Sequence, residues 1–78
     1  MKDITQQIHL LITEKLGIEE YRITDNADFR KDFNIDSLDL FELFDEIEKR
    51  FGIILPDETA EKINTVGQLI AFVTSQQH

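Results

Sequence analysis

Asp36-Ser37-Leu38-Asp39 sets one hydroxyl between two carboxylates, inside a strongly patterned segment, FNIDSLDLFELFDEIEKRF (33–51). A serine placed there has three chemistries open to it: nucleophile, helix cap or attachment point. A nucleophilic serine needs a base to take its proton. The histidines are His9, midway along the first patterned segment, and His78, the last residue. No G-x-S-x-G elbow surrounds Ser37. Hydrolase chemistry is not expected, and no residue is assigned a catalytic role. Capping by Asp36 or Ser37 would satisfy free N–H groups at a helix start. That accounts for a serine but not for its acidic setting. An attachment point uses more of what is there. A hydroxyl in the first turn of a helix is exposed and held, and a phosphate on it would face the positive end of the helix dipole. Asp36 and Asp39 oppose such an anion, so they must serve another purpose, such as recognition by a basic enzyme.

The acidic loop before the serine raises a metal-binding alternative. Asp25 to Asp36 spans twelve residues with an acid at each end, as in an EF-hand loop. Position three is Ala27, position five is Phe29 and position six is Arg30, so ligands and the turn glycine are missing. No metal site is assigned.

The elements that must position Ser37 follow from periodicity and caps. Asp3 caps a first helix, with Gln6 at the capping-box position. Ile4, Ile8, Leu11, Ile12 and Leu16 form one helical face, and Gly17 stops it. A long connection runs from Ile18 to Asp36. It contains Thr24, Asp25 and Asn26 as turn formers and five spaced apolar residues: Ile18, Ile23, Phe29, Phe33 and Ile35. Loops this long are usually functional or packed by their own side chains, and these apolar residues predict packing. A second helix is expected from Ser37 to about Phe51, with Asp36 as N-cap and Gly52 as its stop. PDETAEKI (56–63) reads as a short helix with Pro56 near its start and Ile63 closing it. Thr65 and Gln68 form a capping box for a last helix with the stripe Val66, Leu69, Ile70 and Val73, and TSQQH (74–78) is expected to be a polar tail. The fold class is all-α: a small four-helix bundle of three main helices and a short third, with a long structured loop between the first two. Residues 1–78 form a single domain.

At about 100° per residue, the second helix carries two apolar patches. Leu40, Leu43, Phe44, Ile47 and Phe51 fall within an arc of about 100°, the width of a core-facing stripe. Leu38 and Phe41 lie on the next sector, beside Ser37, Asp45 and Glu48, while Asp39, Glu42 and Glu46 complete the polar side. From Asp36 to Glu48 there are six acids and no base. An apolar centre with a charged rim is the pattern of a protein-docking face. The competing reading tucks Leu38 and Phe41 under the preceding loop.

Composition narrows the class further. Sixteen acids against eight bases give a formal net charge of −8. Such a surface repels nucleic acid and anionic lipid and suits basic protein partners. At 41% apolar the chain is too hydrophobic for a disordered acidic tail. There is no cysteine, so no disulfide or thiolate metal site is expected and a reducing compartment is compatible. No apolar stretch approaches membrane-spanning length, and MKDITQQ lacks the basic and apolar regions of a signal peptide. A cytoplasmic location is expected.

These segments together resemble the acyl carrier proteins of dissociated (type II) bacterial fatty-acid synthesis. Asp36-Ser37-Leu38-Asp39 matches the family's Asp-Ser-Leu motif at the start of helix two, followed by a similar FEL (41–43). LPDETAEKI (55–63), with Thr65-Val66 after it, resembles the third-helix region, and KLGIEE (15–20) and NADF (26–29) match the ends of the loop. The resemblance implies that Ser37 carries 4′-phosphopantetheine, installed from coenzyme A by a phosphopantetheinyl transferase (holo-carrier synthase). It implies acyl groups held as thioesters on the arm and an acidic second helix docking on basic patches of acyl-loading and acyl-processing enzymes. The residues expected to recognise partners are Asp36, Leu38, Asp39, Phe41, Glu42, Asp45 and Glu48. The chain is then a monomeric carrier and not an enzyme. Three features depart from the family pattern. Asn34 stands where glycine is usual, Asp45 replaces a hydrophobic docking residue, and Lys49 and Arg50 replace late helix-two acids. The last two departures point to a specialised carrier serving a dedicated pathway. A carrier for an aminoacyl or polyketide unit, and an unmodified interaction module with a carrier-like fold, are the alternatives.

Overall fold

The computed structural model describes residues 3–77. Four α-helices, α1 (Ile4–Leu16), α2 (Ser37–Phe51), α3 (Asp57–Lys62) and α4 (Val66–Gln76), follow one another, with a single 3₁₀ turn at Glu20–Arg22 between the first two. Helix α1 packs on both α2 and α4. The expected caps form: Asp3 accepts from the Gln6 N–H, Asp36 from the Asp39 N–H and Thr65 from the Gln68 N–H. Gln68 returns a side-chain bond to the Thr65 N–H, completing the capping box. Gly17 and Gly52 end α1 and α2 in the left-handed region, with φ of 68° and 65°.

One core joins the elements. Ile8, Leu11 and Ile12 of α1 meet Leu40, Leu43, Phe44 and Ile47 of α2 and Val66, Leu69 and Val73 of α4. The loop contributes Ile18, Ile23, Ala27, Phe29 and Phe33, all buried, so the long connection is indeed packed by its own side chains. Backbone bonds then stitch it to the start of α4. The Phe29 N–H donates to Asn64 O (2.9 Å), the Val66 N–H to Ala27 O (3.0 Å) and the Gly67 N–H to Asp25 O (2.9 Å). Asp28 and Thr65 form an isolated antiparallel bridge. Gly67 is required by this seam: a Cβ there would lie 2.9 Å from the Asp25 carbonyl oxygen. Asn34 adopts φ 56°, the conformation for which the family's usual glycine is suited and which asparagine tolerates.

The C-terminal end differs from the polar tail expected from sequence. Helix α4 runs on to Gln76, and Gln77 Nε2 donates to the Phe51 carbonyl at the end of α2 (3.3 Å). Thr74, Ser75 and Gln76 have low apolar content but include no glycine or proline, so nothing stops the i→i−4 ladder where the stripe ends. Phe72, outside the expected stripe, is also half-buried against the core. The sequence reading of His78 lies outside the described residues.

Candidate functional site

Ser37 is the first residue of α2, and Asp36 is its cap. The division of labour matters: the carboxylate satisfies the Asp39 N–H (2.9 Å), which leaves the serine hydroxyl free of capping duty. Ser37 is exposed. Its Oγ accepts one bond, from Nη2 of Arg30 at 3.2 Å. No base contacts it among the described residues, and a guanidinium cannot act as one near neutral pH. His9 sits in α1, with Nε2 buried and unpartnered, and takes no part in this site. The hydroxyl is therefore presented without any internal means of activating it.

Arg30 is the residue that the sequence reading missed. It stood there only as an ill-fitting position in a calcium loop. Its backbone is fixed by an acid-capped turn: Asp28 Oδ1 accepts from the Arg30 and Lys31 N–H groups (both 2.9 Å). The Asp28 N–H in turn donates to Asp32 Oδ2 (2.7 Å). The Lys31 N–H bond, followed by that of Arg30, holds the Asp28 carboxyl below the usual carboxylate range, despite opposing desolvation. These loop acids thus face their own backbone. Arg22 braces the same turn from the other side. It donates to Asp32 O (3.1 Å) and lies 5.6 Å over the ring of Phe33.

The second patch on α2 is at the surface. Leu38 is 68% exposed and Phe41 46%, so neither tucks under the loop. Asp39, Glu42 and Asp45 are exposed around them, with no intramolecular partner for their carboxylates among the described residues. Two other acids expected on this rim are committed to the fold. Asp36 caps α2, and Glu48 Oε2 accepts from the N–H of the buried Leu55 at 2.6 Å. On the helix wheel Glu48 lies at an edge of the core stripe, about 40° from Phe44, and its carboxylate turns inward to close the turn after α2. Lys49 and Arg50 occupy the last turn of α2, where cations complement the helix dipole.

This combination can present a substituent on Ser37 beside an apolar, acid-rimmed surface. The family described as "Phosphopantetheine attachment site" matches residues 6–73. An acyl carrier protein of Rubrobacter xylanophilus is 43% identical over 76 residues, 97% of this chain and 94% of that protein. The chain belongs to the acyl carrier protein family. A solved acyl carrier protein from Enterococcus faecalis superimposes with a TM-score of 0.82 at 34% identity, covering 95% of this chain and 94% of that one. The all-α bundle is thus the carrier fold, the prosthetic group is phosphopantetheine, and the protein is a carrier and not an enzyme. An exposed hydroxyl beside a guanidinium suits a phosphodiester chemically, since the ester needs an accessible oxygen and its anion a cation. Among the described residues no helix is long and apolar enough to cross a membrane.

Proposed function

We propose that Ser37 is the attachment point of 4′-phosphopantetheine, within one acyl-carrier domain of residues 1–78. The observation that carries this reading is the exposed, base-free Ser37 Oγ at the head of α2, next to the exposed Leu38 and Phe41. A transferase supplies the missing base. It removes the hydroxyl proton as the oxygen bonds to the phosphorus of coenzyme A's pantetheine phosphate, and 3′,5′-ADP leaves. The thiol of the arm then holds acyl intermediates as thioesters. The monomeric carrier presents them in the cytoplasm to enzymes of fatty-acid synthesis or a related, specialised pathway. Incubation with coenzyme A, magnesium and a transferase should add one phosphopantetheine mass. A chain that never gains it would not be a working carrier.

Partners dock, in this reading, with Leu38 and Phe41 at the centre and Asp39, Glu42 and Asp45 as the free rim; Asp36 and Glu48 add charge from positions fixed by the fold. Rim charges mainly steer encounter. Glu42→Lys should therefore lower acyl transfer rates several-fold at low salt and flatten their salt dependence, with little change in melting temperature, because Glu42 is exposed and its carboxylate has no intramolecular partner among the described residues. Rates that are unchanged across a salt series would remove Glu42 from the docking face.

The cargo follows from the core. Phe29 meets Phe33 and Phe44 edge-on, with centroids 6.2 Å and 6.5 Å apart, directly before and beneath the helix that bears Ser37. A chain sheltered there must displace bulky, rigid rings. Overfilling a packed core costs ~1–3 kcal/mol, against ~0.8 kcal/mol returned per buried methylene. Short or unusual acyl groups should be sheltered better than long saturated ones. In thermal melts of holo protein loaded with a ladder of chain lengths, the midpoint should rise and then flatten or fall early. A steady rise through long chains would return the protein to general fatty-acid synthesis.

A further inference from the structure

We infer that Arg30 is the counter-ion of the phosphodiester on Ser37, pinning the root of the arm to the loop that precedes α2. This rests on the reading of Ser37 as the attachment point. In the unmodified protein the Arg30 guanidinium already reaches Ser37 Oγ at 3.2 Å. Modification turns that oxygen into a bridging ester oxygen, a poorer acceptor. It also places anionic phosphoryl oxygens two bonds further out, on the phosphorus, within reach of the same planar donor set. Guanidinium groups bind such oxygens in charge-assisted, often bidentate fashion. Arg30 is uncommitted for this purpose: it forms no ion pair among the described residues.

The site also needs a cation. A helix N-terminus ordinarily favours a phosphate. Here the Asp39 N–H is already taken by Asp36, and both Asp36 and Asp39 place negative charge beside the serine. An arm carried on Ser37 alone would enter a repulsive field. Arg30 offsets that field from a fixed base. Its N–H is held by Asp28, and the neighbouring Phe29 is fully buried, so its Cα has little freedom even though its side chain is exposed. Pre-positioning of this kind lowers the cost of engaging the phosphate.

The test compares apo and holo forms of wild type, Arg30→Ala and Arg30→Lys. Each holo form is made with coenzyme A and a transferase and checked by intact mass. The holo-minus-apo melting shift should be about 2–4 °C more favourable in wild type than in Arg30→Ala at low salt, and the difference should shrink as salt rises. The phosphorus NMR resonance of the holo protein should move in Arg30→Ala, and Arg30→Lys should retain part of both effects. Should Arg30→Ala resist modification, Arg30→Lys and a salt series on wild-type holo protein make the same comparison. Equal melting shifts in all three forms, with an unmoved phosphorus resonance, would overturn the role of Arg30. So would an Arg30→Ala loss of the same size in apo and holo protein, which would make the contribution of Arg30 independent of the phosphate. A wild type that gains no mass would instead overturn the attachment reading, and this inference with it.

Discussion

Ser37→Ala should abolish phosphopantetheine attachment while leaving the fold in place. Intact mass measured after incubation with coenzyme A, magnesium and a promiscuous transferase should show one added group on wild type and none on the variant. The effect should be all-or-none because no other hydroxyl among the described residues shares the setting of Ser37, at the exposed head of α2 beside Leu38 and Phe41. The fold should survive because the serine does little structural work. Asp36, not Ser37, caps the helix, and alanine is the best helix former at the position that follows. The one bond lost is the exposed contact with Arg30, so the melting midpoint should stay within a few degrees of wild type. Mass gained by Ser37→Ala would place the attachment elsewhere. Loss of the helical signal would show that Ser37 is structural and would leave the chemistry to be tested with Ser37→Thr.

Phe29→Ala and Phe41→Ala should separate by several kcal/mol, although they are only twelve positions apart in sequence. Phe29 is fully buried, and its ring meets both Phe33 and Phe44. Removing such a ring costs ~3–5 kcal/mol. A small domain has ~5–15 kcal/mol in total, so Phe29→Ala should lower the melting midpoint by about 12 °C or more and bring the protein near unfolding. Phe29→Leu keeps most of the volume and should remain folded with a smaller loss. Phe41 is 46% exposed on the proposed docking face. Its truncation should cost below ~1 kcal/mol and show instead as weaker partner binding, as aromatic hot spots do. Urea unfolding of both variants decides the matter. Equal losses would mean that Phe41 belongs to the core and that α2 has a single apolar face.

Much of the bundle was legible because the interactions that define it are local. Asp3, Asp36 and Thr65 each cap an N–H three residues on. Gly17 and Gly52 end helices through their own backbone freedom. The split of α2 into a core stripe and a surface patch follows from 3.6-residue periodicity, and the burial of Leu40, Leu43, Phe44 and Ile47 agrees with it. The readings that missed detail lacked such a signal. The end of α4 carries no stop residue, and Glu48 sits on a boundary of the wheel where a small rotation decides between solvent and the Leu55 N–H.

The sequence by itself determined the helices, their caps, the exposed serine and the family to which the chain belongs. The tertiary structure alone decided what stands beside that serine. Arg30 and Ser37 are seven residues apart across irregular backbone, where no period relates one side chain to another. Their meeting depends on the Asp28 turn, on Phe29 anchored in the core and bonded to Asn64, and on the left-handed Asn34 that turns the chain into α2. Asn64 is distant in sequence, and its contact exists only once the loop has closed over the start of α4. A side chain placed by that closure cannot be located from its neighbours along the chain.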